Sequence, residues 1–303
     1  MNIFERVVRK RLTEFMEEND AFNEGQHGFR KGRSCLSQLL VHQEAILHDI
    51  SKGRNVDVIY LDFAKAFDKV DHSLLFHRLK SLGIGGTLGQ WLHSFLADRK
   101  QKVSVQGHLS PPSAVTSGVP QGSVLGPLLF LIMIGDIDKG LQHSTVTSFA
   151  DDTRMKMQIE TVDDVALLQQ DLNCLLSWAK DNNMKMNGDK FEVMMYGPLL
   201  DIKEHTKYQA HQQNITLKEY VRDLGVTWSA DGTFSHHIHL YHHNREETNR
   251  LDLKDLSDKG KVLYANLVEG LGSTEVRILL SALVSTQDGR HHETRSPTEN
   301  VHQ

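Results

Sequence analysis

The sequence predicts an α+β fold, an antiparallel sheet with helices packed on one face, and three observations carry that prediction. Segments that alternate polar and apolar residues are interleaved with segments of helical period, in the order strand, helix, hairpin, helix, strand. Two β-prone runs, Thr145-Val146-Thr147-Ser148-Phe149 and Arg154-Met155-Lys156-Met157-Gln158-Ile159, are joined so tightly that they read as a hairpin with Asp151 and Asp152 at its tip. The longest mostly apolar run, Val124 to Ile134, contains Gly126 and Pro127 and is too short to span a bilayer, so it reads as a core helix and no membrane is expected as a partner.

Composition narrows the function classes. A chain of 303 residues with 39% hydrophobic and 24% charged residues can bury a sizeable core and reads as an ordinary soluble globular protein. Its formal charge of −5 is not the basic footprint of a nucleic-acid binder, so any such function must rest on local patches and metal ions. Two cysteines, Cys35 and Cys174, cannot make a disulfide framework, which points to a reducing compartment. Met1-Asn2-Ile3-Phe4-Glu5-Arg6 has no signal-peptide layout, so secretion is not expected.

Taken in order, Ile3, Phe4, Val7, Val8, Leu12, Phe15 and Met16 recur at helical spacing opposite Glu5, Arg9, Lys10 and Glu14, which predicts an amphipathic helix over about 2–18. A loop with three glycines and the cations Arg30, Lys31 and Arg33 follows, and it is equally a solvated linker or a phosphate-contacting loop. Ser34 caps a second helix carrying Leu36, Leu39, Leu40, Ile46, Leu47 and Ile50. Asn55 to Asp62 reads as a strand ending in a carboxylate, followed by a short helical piece and by helices around Leu74–Leu82 and Leu88–Leu96. Gln101 to Gln106 alternates as a strand, and the glycine-rich turn 117–123 leads into a buried helix over about Val124 to Ile137. Thr161-Val162-Asp163-Asp164 is a capping box for a helix carrying Val165, Leu168, Leu172, Leu175, Leu176 and Ala179. Asp163 and Asp164 favour the positive end of that helix dipole and are assigned no catalysis. Phe191 to Tyr196 closes the sheet.

In that layout Asp62, at a strand end, lies beside Asp151 at the hairpin tip. Adjacent carboxylates repel, and a cation between them relieves the repulsion; the competing reading is a plain Asp-rich turn. Carboxylates converging from two strands can hold a pair of Mg²⁺ ions roughly 3.5–4 Å apart, an arrangement suited to phosphoryl or nucleotidyl transfer.

Four ordered segments, Gln-His-Gly-Phe-Arg-Lys-Gly-Arg-Ser (26–34), Tyr-Leu-Asp-Phe-Ala-Lys-Ala-Phe-Asp-Lys-Val-Asp-His (60–72), Ser-Gly-Val-Pro-Gln-Gly-Ser-Val-Leu-Gly-Pro-Leu-Leu-Phe (117–130) and Phe-Ala-Asp-Asp (149–152), resemble successive motifs of the reverse transcriptases of non-LTR (LINE-type) retrotransposons. Trp178 to Gly197, with Asn187-Gly188-Asp189-Lys190, resembles the next motif, and Asp223-Leu224-Gly225-Val226 resembles the primer-grip region. The resemblance implies a right-hand polymerase architecture: partial fingers over 1–55, a palm with inserted fingers elements over 56–220, primer grip and degenerate thumb over 221–286, and a disordered tail over 287–303.

The resemblance further implies roles at matching positions. Asp62 and Asp151, with Asp152 as a third, weaker ligand, would hold Mg²⁺ or Mn²⁺. Phe67 would be the aromatic floor that leaves no room for a 2′-hydroxyl. Phe63, Gln121 and Gly122 would line the nucleotide and template pocket. Arg30, Lys31 and Arg33 would face phosphate, and Lys190 would protonate the leaving pyrophosphate. RNA template, DNA primer and deoxynucleoside triphosphates would be the partners, at a nuclear site with a cytoplasmic ribonucleoprotein stage.

The family's fingers segment with its Arg-Pro-Ile-Ser-Leu-like motif would precede residue 1, and the thumb pattern survives only as a faint echo at Val262 to Val268. His236, His237, His239, His242 and His243 read as a solvated cluster rather than a zinc site. Two other readings stay open: a remnant that keeps the fold and nucleic-acid binding without polymerising, and a two-metal nuclease, for which no water-activating group is in evidence.

Overall fold

The computed structural model describes residues 2–198, 206–234, 236–237 and 239–240. Helices α1 (Asn2–Glu18) and α2 (Cys35–Ser51) precede strand β1 (Asn55–Leu61), and α3 (His72–Ser81) and α4 (Gly86–Leu96) follow it. Four two-residue strands come next, β2 (Lys100–Gln101), β3 (Ser104–Val105), β4 (His108–Leu109) and β5 (Ser113–Ala114), then α5 (Gly126–Met133). The hairpin β6 (Thr145–Phe149) and β7 (Asp152–Ile159) leads through α6 (Val162–Asp181) to β8 (Glu192–Tyr196). Short strands β9 (Gln209–Ala210), β10 (Gln213–Asn214), β11 (Thr216–Leu217), β12 (Tyr220–Asp223) and β13 (Val226–Ser229) follow.

The main sheet has the order β11-β8-β1-β7-β6, with β1 antiparallel to both β7 and β8 and only β11 running parallel, on β8. Its centre, β1, is buried at all seven positions, which requires cover on both faces. Ile59 and Leu61 face the larger core, where α1, α3, α4, α5 and α6 supply Leu12, Leu75, Leu92, Phe130 and Leu168. Helix α5 is apolar all round and sits inside this layer, whereas α6 presents a stripe of Val165, Leu168, Leu172, Leu175 and Ala179. The opposite face of β1, with Val56, Val58 and Tyr60, is closed by Ile46 of α2 and by Val221 and Trp228 of the β12–β13 ribbon.

Local signals act where the sequence places them. Ser34 and Ser37 close a capping box on α2, and Thr161 and Asp164 close another on α6. Two elements differ from expectation. The strand over 101–106 is broken into β2 and β3, because β2 pairs with β5 while β3 turns back onto β4. The helix expected over 124–137 spans only Gly126–Met133, with Pro127 in its first turn, and a series of turns begins at Ile134. Helix α1 contributes Val8, Leu12 and Met16 to the same core as α3, α4, α5 and α6. The thumb echo at 262–268, the tail from 287, and His242 and His243 lie outside the described residues. His236 stacks on Tyr220 with ring centroids 3.8 Å apart, and His237 Nδ1 accepts from Thr227 N at 3.2 Å, so both pack on the ribbon. No helix among the described residues is long and apolar enough to cross a membrane.

One charge pair lies inside the second face. Arg154 of β7 is 2% exposed and forms an ion pair with Asp223, at the end of β12. Burial pushes the Asp223 carboxyl up, and the guanidinium opposes that shift. Breaking a buried pair strands the surviving charge, at a cost of about 3–5 kcal/mol, whereas replacing both partners by apolar groups is often neutral. Arg154→Ala is therefore expected to lose about that much stability in urea unfolding, and Arg154→Met combined with Asp223→Leu to recover most of it. Equal loss in the single and double variants would show that the pair is not the source of the cost.

Candidate active site

The register of the sheet assembles the carboxylates. Leu61 pairs with Thr153 across β1 and β7, and Phe149 pairs with Asp152 across the hairpin. Asp62, one step past β1, therefore lies beside the Asp151-Asp152 tip, as the sequence predicts. Partial burial raises the Asp151 carboxyl, and the Asp62 charge adds to that shift. Asp152 is pushed up to about 6 by partial desolvation and then by the charges of Asp151, Asp223 and Asp62, with Arg154 opposing. Asp151 and Asp152 are thus raised by burial and by neighbouring carboxylate charge, Asp62 included.

Lys190 reaches the same point. Asn187 N donates to Asp62 O at 2.9 Å, and Ala64 N donates to Lys185 O at 2.8 Å, so the 185–187 segment runs along 62–64. The short turn Gly188–Lys190 then sets Lys190 Nζ 3.3 Å from Asp62 Oδ2, with the lysine side chain 66% exposed. Phe63 bridges to Met186 and is 5% exposed. Its ring belongs to the core, so any contact of this residue with a nucleotide falls to its backbone.

Phe67 lies between two other rings. It stacks on the buried Phe130 at 4.3 Å with 20° between planes, and meets the exposed Phe29 edge-on at 6.1 Å. The glycine-rich turn is laced to the same stretch: Gly118 N donates to Val70 O, Val119 N to Phe67 O, and Ser117 Oγ to Asp68 O. A Cβ at Gly118 would sit 2.8 Å from Asp68 Cα, which explains a glycine here. Gln121 donates through Nε2 to Asp68 Oδ1 at 3.0 Å and is exposed, and Gly122 borders open space. Phe67, Gln121 and Gly122 therefore line one open surface.

The basic loop is used differently from its composition. Arg30 is half-buried against Glu17, with Nη2 2.6 Å from Oε2, donates to Asn23 O, and lies 4.9 Å over the Phe22 ring. Arg33 donates to the carbonyls of Glu24 and Gln26. These two guanidiniums brace the loop, whereas Lys31 is exposed. Residues 25–28 form an extra edge beside β6: Ser148 N donates to Gly25 O at 2.9 Å and His27 N to Ser148 O at 2.7 Å. Cβ atoms at Gly25 and Gly28 would lie 2.1 Å from Val146 O and 2.3 Å from Ala150 N, so the glycines serve approach to the hairpin backbone. Between them Gln26, 4% exposed, accepts through Oε1 from Ala150 N at 2.8 Å and from Gly28 N at 2.7 Å. Its Nε2 donates to Ala150 O at 3.2 Å. Ala150 has φ +58°, a left-handed turn that costs an L-residue about 1–2 kcal/mol and that this carboxamide holds in place. Sequence reasoning gave Gln26 no role; its only signal was a polar residue set between glycines.

Among the described residues no group of three or more His, Cys, Asp or Glu side chains is arranged so that it could hold a metal ion. The donor chemistry nonetheless fits a hard divalent cation. Asp62, Asp151 and Asp152 offer only oxygens, their repulsion falls when a cation is present, and Mg²⁺ completes its shell with water and substrate phosphate.

Comparison with known proteins bears on the whole arrangement. The chain is 31% identical over 248 residues to the probable RNA-directed DNA polymerase from transposon BS of Drosophila melanogaster, covering 78% of this chain and 27% of that protein. It is 28% identical over 251 residues to the RNA-directed DNA polymerase from mobile element jockey of Drosophila melanogaster, covering 78% of this chain and 26% of that protein. The chain thus spans about a quarter of the length of these relatives. They bear out the resemblance to non-LTR retrotransposon reverse transcriptases. Among solved structures, apo telomerase from Candida Tropicalis shares the fold, with a TM-score of 0.51 at 11% identity over 75% of this chain and 39% of that one. Residues 1–230 match the family described as reverse transcriptase (RNA-dependent DNA polymerase), and the chain belongs to that family.

Proposed function

We propose that this chain is the polymerising part of an RNA-directed DNA polymerase, adding deoxynucleotides to a DNA primer on an RNA template. The observation that supports this is the approach of Asp62 to Asp151, remote in sequence, where β1 pairs with β7. Asp62 and Asp151, with Asp152 as the weaker ligand, would hold the divalent cations, Mg²⁺ or Mn²⁺. When bound, such ions lower the pKa of the attacking primer hydroxyl and neutralise the triphosphate.

The chain's own groups do the rest. The half-buried ring of Phe67 stacks on Phe130 and would close the space a 2′-hydroxyl needs. Gln121 and Gly122 border that space and would position the incoming nucleotide and template. Lys190, exposed and paired with Asp62, can swing to a departing pyrophosphate and give its Nζ proton to a phosphate oxygen. Lys31 is the loop cation free to meet phosphate, while Arg30 and Arg33 keep its backbone in place. The lack, among the described residues, of a group of three His, Cys, Asp or Glu side chains able to hold a metal ion favours one alternative, a fold that binds nucleic acid without polymerising. Binding that weakens steeply with salt, with no extension in the same preparation, would establish it.

RNA-templated extension of a DNA primer is expected only with Mg²⁺ or Mn²⁺ present, and Asp151→Asn is expected to lower it by at least about 10²-fold. Extension that survives the substitution would remove Asp151 from the cation site. Phe67→Val is expected to admit ribonucleotides, read as a fall in the ratio of kcat/KM for deoxy- over ribonucleotide; an unchanged ratio takes Phe67 out of the sugar pocket.

The cation-free protein also has a pH signature. Folded Asp152 keeps its proton up to about pH 6, against an ordinary value of 3.8, so the folded state binds more protons in that window and stability falls as pH rises through it. His27, lowered to about 4 by burial and by Arg33, Arg154 and Arg30, slopes the opposite way. Asp152→Asn leaves His27 in place, so the stability of the wild type relative to this variant should decline between pH 4 and pH 6 in urea unfolding. Saturating Mg²⁺ should remove the decline. A flat difference without the ion would show that the carboxyl is not raised.

A further inference from the structure

We propose that Gln26 is a positioning residue for the cation-binding hairpin, its carboxamide setting the turn at Ala150 from which Asp151 and Asp152 project. The proposal rests on the reading above for its cation site and its kinetic arm; its geometry stands on the hairpin itself. Oε1 accepts two N–H groups, from Gly28 and Ala150, and Nε2 donates to the carbonyl of Ala150. The side chain therefore grips both polar groups of the residue that precedes Asp151.

Only a neutral carboxamide of this length supplies an acceptor and a donor to one residue in this way. Glutamate keeps the acceptor but turns a charged oxygen toward the Ala150 carbonyl. Methionine fills the space and makes none of the bonds. Gln26 is 4% exposed, so water is poorly placed to replace them. The grip works at close range because Gly25 and Gly28 have no side chains in the way. The turn it holds is left-handed at a non-glycine residue, a conformation that persists only when its surroundings impose it. Releasing Ala150 re-aims the peptide that joins it to Asp151, and the carboxylates lose their common point.

The competing explanation is that Gln26 only fastens the loop to the sheet. Glu17 fastens the same loop at another point, through Arg30, without touching Ala150. Glu17→Gln thus serves as the control for loosening alone. The experiment titrates the full chain with Mn²⁺, following free Mn²⁺ by electron paramagnetic resonance, for wild type, Gln26→Met, Gln26→Glu and Glu17→Gln. Melting temperatures are recorded beside primer-extension kcat and deoxynucleotide KM.

Positioning predicts that Gln26→Met weakens Mn²⁺ binding by about tenfold and lowers kcat by a similar factor, with KM changed less than about threefold. Gln26→Glu, which keeps the two accepted bonds and so guards against loss of fold, should lower kcat in the same way. Glu17→Gln should lower the melting temperature and leave Mn²⁺ affinity alone. Folded Gln26 variants with wild-type Mn²⁺ affinity and kcat, or Mn²⁺ affinities that merely track melting temperature across all three variants, would overturn the proposal. Weaker Mn²⁺ binding in Gln26→Met from a wild type that never extends a primer would uphold positioning and reject the polymerase reading. Wild-type protein that takes up no Mn²⁺ would remove the carboxylate site and both readings with it.

Discussion

Antiparallel pairing of β1 with β7 is the constraint on which the site depends. With Leu61 opposite Thr153, a strand that runs straight into Asp62 and a strand that begins with Asp152 deliver their carboxylates to the same edge. A slip of one residue would turn every side chain of β7 to the other face, taking Met155 out of the larger core and Arg154 out of reach of Asp223. Burial on both faces of β1 makes such a slip costly. The same apolar packing that stabilises the sheet therefore fixes the position of its acidic edge.

That edge works against the stability of the fold. Burial and neighbouring carboxylate charge raise the proton affinity of Asp151 and Asp152, and the non-glycine residue before them is kept left-handed. The surrounding chain offsets this with ordinary backbone chemistry. An extra edge at residues 25–28, a buried carboxamide, and two arginines spent on carbonyls and on Glu17 brace one side of the hairpin. On the other side, the 185–187 segment ties Asp62 to the turn that carries Lys190. The position of the acidic edge is held by its rigid surround rather than by the stability of the acidic cluster itself.

Much of this was legible in the sequence, and what was not has a physical reason. Alternation exposed the hairpin, Ser34 and Thr161 announced their helices, and a strand ending in Asp62 could be matched to Asp151 because antiparallel neighbours share an edge. Arg154 misled: in an alternating strand it looks solvent-facing, yet it is 2% exposed, because α2 and the β12–β13 ribbon cover a face that periodicity alone leaves open. Arg30 and Arg33 have the composition of a phosphate loop, but their partners, Glu17 and the backbone of 23–26, are set by folding and not by spacing. Gln26 was silent because its bonds reach a residue 124 positions away.

Whether Asp62 and Asp151 share one cation is the central question, and calorimetric titration of Mg²⁺ into wild type, Asp62→Asn, Asp151→Asn and the double variant answers it most directly. A shared site predicts that either single change removes most of the binding and that the second adds little, a strongly non-additive cycle. Independent, additive losses from the two substitutions would mean that the carboxylates do not act on the same ion, and would contradict the account.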